Sequence, residues 1–323
     1  MKVIAIDTGF GAIKVAYENA QGIRRYEKFI RVVGRVGSSA VVQDSNAFEF
    51  NGQSYYLFDN ALKLPNSQLL DLTTYEGLKE VSPIIIAYLL KKYKIDYDRI
   101  VLGLSVAMIE QSGDYLNYIS TNLTIPKERF LLVPQGIGSK VAYDRYNLNP
   151  EDATQYSNVR AKNFLGVDIG FNTIDIYQCI GGITSGQTVK GFKGEGVCKV
   201  AFSLIDAIRR DTGIEVTLQH SKEVLETGFF NHRGTSYDYR AKIDKFIKDY
   251  LTGMIKLLED NFKEVIDNMD NILFVGGGGA LLFKYMESVR SVVEKYYKGD
   301  FIVIPELAEF YNVLGYQLLG SRI

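Results

Sequence analysis

The chain has no tryptophan, two cysteines, two histidines and six prolines in 323 residues, and its formal net charge is −1. Each scarcity excludes something. Cys179 and Cys198 are too few for a disulfide scaffold or a CxxC metal site, so both read as buried or incidental thiols. His220 and His232 have no second histidine or cysteine at ligand spacing, which removes a zinc centre. No GxSxG nucleophile elbow is present, which removes a Ser-His-Asp hydrolase. Carboxylates, a metal ion and backbone amides are what remain for chemistry. With 37 basic and 38 acidic residues, the chain has no general electrostatic grip on nucleic acid or anionic lipid, so neither direct DNA or RNA binding nor a membrane is expected. No apolar run approaches the ~18–20 residues that span a bilayer. MKVIAIDTG lacks the shape of a signal peptide, and the expected location is cytoplasmic. There is no GxxxxGK[ST] phosphate loop, and FVGGGGALL fails the dinucleotide pattern GxGxxG at Leu281.

What is present is a repeat. AIDTGFGAIKVAY occupies residues 5–17 and VDIGFNTIDIYQ residues 167–178. Overlaid, Asp7, Gly9, Phe10 and Ile13 fall on Asp168, Gly170, Phe171 and Ile174, each pair 161 residues apart in a chain of 323. That length suits two domains of ordinary size. The polar stretch NLNPEDATQYSN (147–158) places the boundary between them.

Both halves read as alternating strands and helices. In the first, 2–6 and 13–17 form a hairpin, and Asn51-Gly52 marks a second one. Residues 75–93 have helical spacing with Pro83 as a start within the segment, 99–106 is a buried strand, and 129–145 runs strand, turn, helix. The second half begins with strand, Gly-Phe-Asn turn and strand (164–178), another strand to 192 and a helix over 196–211. A variable stretch extends to 240, followed by an amphipathic helix over 239–266. Residues 271–289 read as strand, glycine turn and helix, and 301–320 as strand and helix.

An aspartate that ends a strand, followed by a tight glycine turn, sets a carboxylate beside a row of backbone N–H groups. Such amide nests bind phosphate oxygens, and the carboxylate suits a hydrated Mg²⁺. Two such hairpins would grip a triphosphate from both sides. Among the positions where the copies differ, one exchanges charge: Lys14 in the first can neutralise phosphate charge, whereas Asp175 in the second adds a carboxylate.

On these segments the chain resembles the actin/Hsp70/sugar-kinase superfamily, most closely the ParM-type plasmid-segregation actin-like proteins of bacteria and archaea. AIDTGFGAIK and VDIGFNTID resemble its two phosphate hairpins, VPQGIGSKVAY its first interdomain helix, FVGGGGALL its adenosine turn and PELAEFYNVLGY its second interdomain helix. The resemblance implies an α/β actin-like fold: domain I at 1–157 with 306–323 returning to it, domain II at 158–305, and a nucleotide cleft between them. It implies Asp7 and Asp168 at the metal, Gln135 orienting the attacking water, and Thr8, Gly9, Phe10, Gly11 and Lys14 on the phosphates. Gly170, Phe171, Asn172 and Thr173 would surround the γ-phosphate. Gly276, Gly277 and Gly278 would pass under the adenosine, with Glu195 and Lys199 as ribose or base contacts. The implied cofactors are ATP, with GTP as the alternative, and Mg²⁺. The implied activity is ATP hydrolysis that drives a head-to-tail filament of the chain, moving plasmid or phage DNA through a DNA-binding adaptor. The alternatives are a small-molecule kinase of the same superfamily and a non-polymerising scaffold of the FtsA or PilM kind.

Overall fold

The computed structural model describes residues 1–36, 46–70, 74–146, 163–304 and 307–322. The chain divides into two compact units, Met1–Asn147 with Phe310–Ile323, and Leu148–Glu309. The boundaries expected at 157/158 and 305/306 lie outside the described residues.

Unit 1 opens with β1 (Val3–Asp7), β2 (Ala12–Glu18) and β3 (Arg24–Ile30). Next, β4 (Val33–Arg35), β5 (Phe48–Phe50) and β6 (Gln53–Leu57) make a small separate sheet. Its β5–β6 turn is the Asn51-Gly52 pair, both with positive φ (49° and 76°), as a tight hairpin turn requires. Then come α1 (Tyr75–Tyr93), β7 (Arg99–Leu104), α2 (Ser112–Leu123), β8 (Phe130–Pro134) and α3 (Ile137–Tyr146). The main sheet runs β3-β2-β1-β7-β8, antiparallel through β1 and parallel beyond it. Every residue of β1 is buried, which explains why a central strand reads VIA without alternation.

Helix α1 departs from expectation: Pro83 lies inside one continuous helix rather than at a start. The helix begins at the Thr74 cap, whose hydroxyl accepts from Gly77 N at 3.1 Å. Proline removes one backbone bond, and the burial of Val81, Ile84, Ile85 and Leu89 on the same helix outweighs that loss.

Unit 2 repeats the plan with β9 (Phe164–Ile169), β10 (Thr173–Ile180), β11 (Ile183–Lys193) and α4 (Cys198–Thr212). After α5 (Leu218–Thr227) and the hairpin β12 (Phe229–His232) and β13 (Thr235–Asp238) comes the long α6 (Arg240–Ile266). The unit closes with β14 (Asn271–Val275), α7 (Gly276–Lys284), α8 (Met286–Tyr296) and β15 (Asp300–Val303). Its sheet order is β11-β10-β9-β14-β15, with the same sequence of antiparallel and parallel pairings as in unit 1.

Two segments correct the sequence reading. The stretch before 240 is ordered as α5 and a hairpin turning on Arg233 (φ 47°) and Gly234 (φ 81°), a pair without the usual Asn-Gly signature. The glycines after β14 form the first turn of α7 rather than a separate turn. The final helix, α9 (Tyr311–Gly320), packs on α3 in unit 1, where a Cβ at Gly315 would collide with the Gly138 carbonyl. Among the described residues no helix is long and apolar enough to cross a membrane.

Candidate functional site: two matched hairpins

In unit 1, Asp7 ends β1 and is 3% exposed. The β1–β2 register sets Lys14 directly opposite, and its Nζ lies 3.8 Å from Asp7 Oδ2. The other oxygen, Oδ1, accepts a hydrogen bond from Gln135 Nε2 at 2.8 Å. Gln135 is held in turn, because its N–H donates to Leu104 O at 2.8 Å just where β8 ends. The strand order therefore brings Asp7, Lys14 and Gln135 together although 128 residues separate Asp7 from Gln135.

Residues without a sequence signal complete this half. Asn312 of α9 accepts at Oδ1 from Gly136 N (3.1 Å) and Ser139 N (3.2 Å), satisfying the start of α3 immediately after Gln135. Asn312 falls within PELAEFYNVLGY, yet nothing local in that segment singles it out from Gln317, the other buried polar residue of the helix. Behind the hairpin, Thr8 Oγ1 lies 3.1 Å from Tyr115 OH, which lies 2.8 Å from Ser82 Oγ. Burial pushes the Tyr115 phenol up, while the bonds with Ser82 and Thr8 pull it the other way. Gly9, Phe10 and Gly11 form the half-buried turn itself.

In unit 2, Asp168 sits one residue before the end of β9 and is 4% exposed. Its register partner across β10 is Asp175, 2% exposed. Directly opposed residues project from the same face of a sheet, so two carboxylates share the place that Asp7 and Lys14 occupy in unit 1. The turn closes through Gly170 N to Thr173 O at 2.8 Å. Its carbonyls hold the entry to α4: Phe171 O accepts from Cys198 N at 2.7 Å, and Asn172 O from Gly194 N at 2.7 Å. Glu195 and Lys199 are ion-paired with each other one helical turn apart, and Glu195 O accepts from Tyr250 OH at 3.1 Å. Burial pushes the Cys198 thiol up.

The glycine run meets the same hairpin. Gly276 has φ 82°, and a Cβ there would collide with Asp168 Oδ1. One at Gly278 would collide with the Ile169 side chain, whereas one at Gly277 would meet nothing within 4 Å. Packing therefore requires two of the three glycines, and the third leaves an open stretch of backbone. Unit 2 thus gathers Asp168, Gly170–Thr173 and Gly276–Gly278 at one end of its sheet. A cavity of about 530 Å³ lined by Leu258, Met269, Ile272 and Tyr297 lies at the amino end of β14, away from this site.

Among the described residues no group of three or more His, Cys, Asp and Glu side chains is arranged to hold a metal ion. The donor set nevertheless fits Mg²⁺, which takes one or two hard carboxylates and keeps several waters. Asp168 and Asp175 stand opposite each other, both buried, on one sheet face.

The strand order, repeated with its aspartate hairpin, defines the fold as that of the actin-like proteins. Residues 166–288 match the archaeal MreB-like actin homologue family, C-terminal part. A ParM filament structure from Clostridium botulinum, described as 15-stranded, superposes with a TM-score of 0.74 at 18% identity, covering 100% of this chain and 99% of that one. The archaeal actin homologue Ta0583 in complex with ADP gives 0.69 at 16% identity, with 100% of both chains covered. MreB 5 of Spiroplasma citri bound to AMPPNP gives 0.68 at 13% identity, covering 99% and 96%. No curated protein sequence matches the chain.

Proposed function

We propose that this chain is a nucleotide-driven, filament-forming ATPase. The observation that carries the reading is one five-strand order, with one aspartate hairpin at the same place, built twice. Duplicated hairpins have a physical use if the amides of both serve one polyphosphate, since each supplies N–H donors that a single turn cannot.

In this reading the Gly9–Gly11 and Gly170–Thr173 amides bind phosphate oxygens, and Lys14 neutralises part of their charge. Asp7 and Asp168 would hold Mg²⁺, and the bound ion would supply charge stabilisation to the phosphates. Gln135, fixed by its bond to Asp7, orients the water that attacks the γ-phosphate. A glutamine there donates and accepts without taking the proton itself, which suits hydrolysis rather than transfer to a substrate hydroxyl. The open backbone at Gly277, between Gly276 and Gly278, would receive the adenosine, and Glu195 and Lys199 would contact the ribose or base. ATP is the nucleotide, with GTP as the alternative.

ATP favours assembly of head-to-tail copies, and hydrolysis loosens them. The filament moves plasmid or phage DNA through an adaptor that binds the DNA. The likeness to a protein solved as a filament and to others solved with ADP and AMPPNP supports this reading.

The test is light scattering and pelleting with Mg-ATP, Mg-GTP, Mg-ADP or no nucleotide, with phosphate release followed in parallel. Scattering that rises with ATP and decays as phosphate accumulates is the expected result. Nucleotide binding without assembly at any protein concentration leaves a kinase or a scaffold; no nucleotide binding removes the reading altogether.

A further inference from the structure

The phenylalanine at the same place in each hairpin turn carries a cation over its ring. In unit 1 the Arg31 guanidinium lies 4.9 Å from the Phe10 centroid. In unit 2 the Lys222 ammonium lies 4.1 Å from the Phe171 centroid. The aromatic residues belong to the repeat; the cations do not. Arg31 directly follows β3 and is 5% exposed, whereas Lys222 is half-buried on α5. The residue 161 positions after Arg31 is Phe192, which carries no charge. The same arrangement is therefore reached twice from unrelated positions, which a by-product of duplication does not explain.

The second turn's backbone is bonded to the entry of α4, which leaves the ring of Phe171 as a further point of contact. Phe10 stands between Gly9 and Gly11, and Phe171 between Gly170 and Asn172. Glycine flanks let the backbone approach a ligand closely, at the cost of conformational freedom. The phenylalanine is the large side chain through which such a turn can be gripped. A cation over the ring face is drawn by the ring quadrupole, and Arg31, being buried, acts where the interaction is least screened.

We propose that Arg31 and Lys222 are positioning residues that grip Phe10 and Phe171 and so fix the two turns' amides for phosphate. This rests on the nucleotide reading above. The grip is on the turn and not on the nucleotide base, so it acts alike on ATP and GTP and fades for a nucleoside without phosphates.

The test measures binding of Mg-ATP, Mg-ADP and adenosine, together with unfolding temperature, for wild type, Lys222→Met, Lys222→Arg, Phe171→Leu, the Lys222→Met/Phe171→Leu double variant, Arg31→Met and Arg31→Lys. Lys222→Met is expected to weaken Mg-ATP binding about threefold to tenfold, the scale of a partly desolvated cation–π contact. Its unfolding temperature and its weak adenosine binding should stay unchanged, and Lys222→Arg should restore ATP affinity. The double variant should lose little beyond Phe171→Leu alone, because both changes break one contact. Arg31→Met should lose more than Lys222→Met, with partial rescue by Arg31→Lys. Should the buried Arg31 variants fail to fold, the half-buried Lys222 series still decides the matter. Wild-type ATP affinity in Lys222→Met, or an affinity loss that merely follows a fall in unfolding temperature, overturns the proposal. A wild type that binds no nucleotide overturns the functional reading and this inference with it.

Discussion

The two hairpins share a backbone plan and differ in one charge. In unit 1 the residue opposite the strand-end aspartate is Lys14, and the pair is internally neutral. In unit 2 it is Asp175, and the pair is doubly acidic. A single position in the register therefore sets the charge of each pair.

Breaking the acidic pair of the second hairpin should have the largest effect. Asp168→Asn is expected to lower phosphate release by about 10³-fold or more, on the scale of losing a group that stabilises charge in phosphoryl transfer. Initial-rate assays across Mg²⁺ concentrations check this, and an Asp168→Asn protein with wild-type Mg²⁺ dependence would show that Asp168 is not at the metal. Next comes Gly276→Ala, which meets a left-handed φ and the Asp168 carboxylate at once. It should cost about 2–4 kcal/mol in urea unfolding and move Asp168 as well, so affinity and stability fall together.

Gln135→Ala should lower kcat by about 10²-fold, the lower end for a group that positions a reactant. KM should change little, because the phosphate contacts remain. Asp175→Lys sharpens the comparison directly by giving the second hairpin the charge pattern of the first. The Mg²⁺ dependence of nucleotide binding should weaken. An unchanged Mg²⁺ dependence would show that Asp175 plays no part at the metal.

The smallest effect lies away from both hairpins. Glu27 on β3 accepts from Tyr17 OH at 2.7 Å and from Lys92. Burial alone would raise its carboxyl, yet Lys92 and Tyr17 hold it below the ordinary 4.5. The folded value is the lower one, so this contribution is present above pH 4.5 and is lost as pH falls through the folded value. Glu27→Gln should flatten the acid limb of stability against pH and leave the neutral range nearly unchanged.

Much of the fold was legible in the sequence because its signals are local. Strand β1 reads as an unbroken apolar run, Asn51-Gly52 as a hairpin turn, and α6 as an amphipathic helix whose buried Ile243, Ile247, Leu251 and Leu258 fall on one stripe. The actin-like fold was readable from the repeat and the order of five segments. Pro83 was misjudged because burial along α1 overrides a local propensity that sequence reasoning weighs in isolation. The β12–β13 hairpin was missed because Arg233-Gly234 is a rare way to turn two short strands.

The sequence by itself determined which residue types stand at each hairpin, since a repeat with a half-chain offset is visible without coordinates. Covalent order carries the period, the glycines and the exchange of Lys14 for Asp175. Only the tertiary structure decided what each of them faces. Register set Asp175 opposite Asp168, and strand order brought Gln135 to Asp7. Close packing put Gly276 against a carboxylate, and two unrelated segments delivered Arg31 and Lys222 to matching rings. Such pairings depend on chain closure over long separations, and no periodicity or local propensity encodes them.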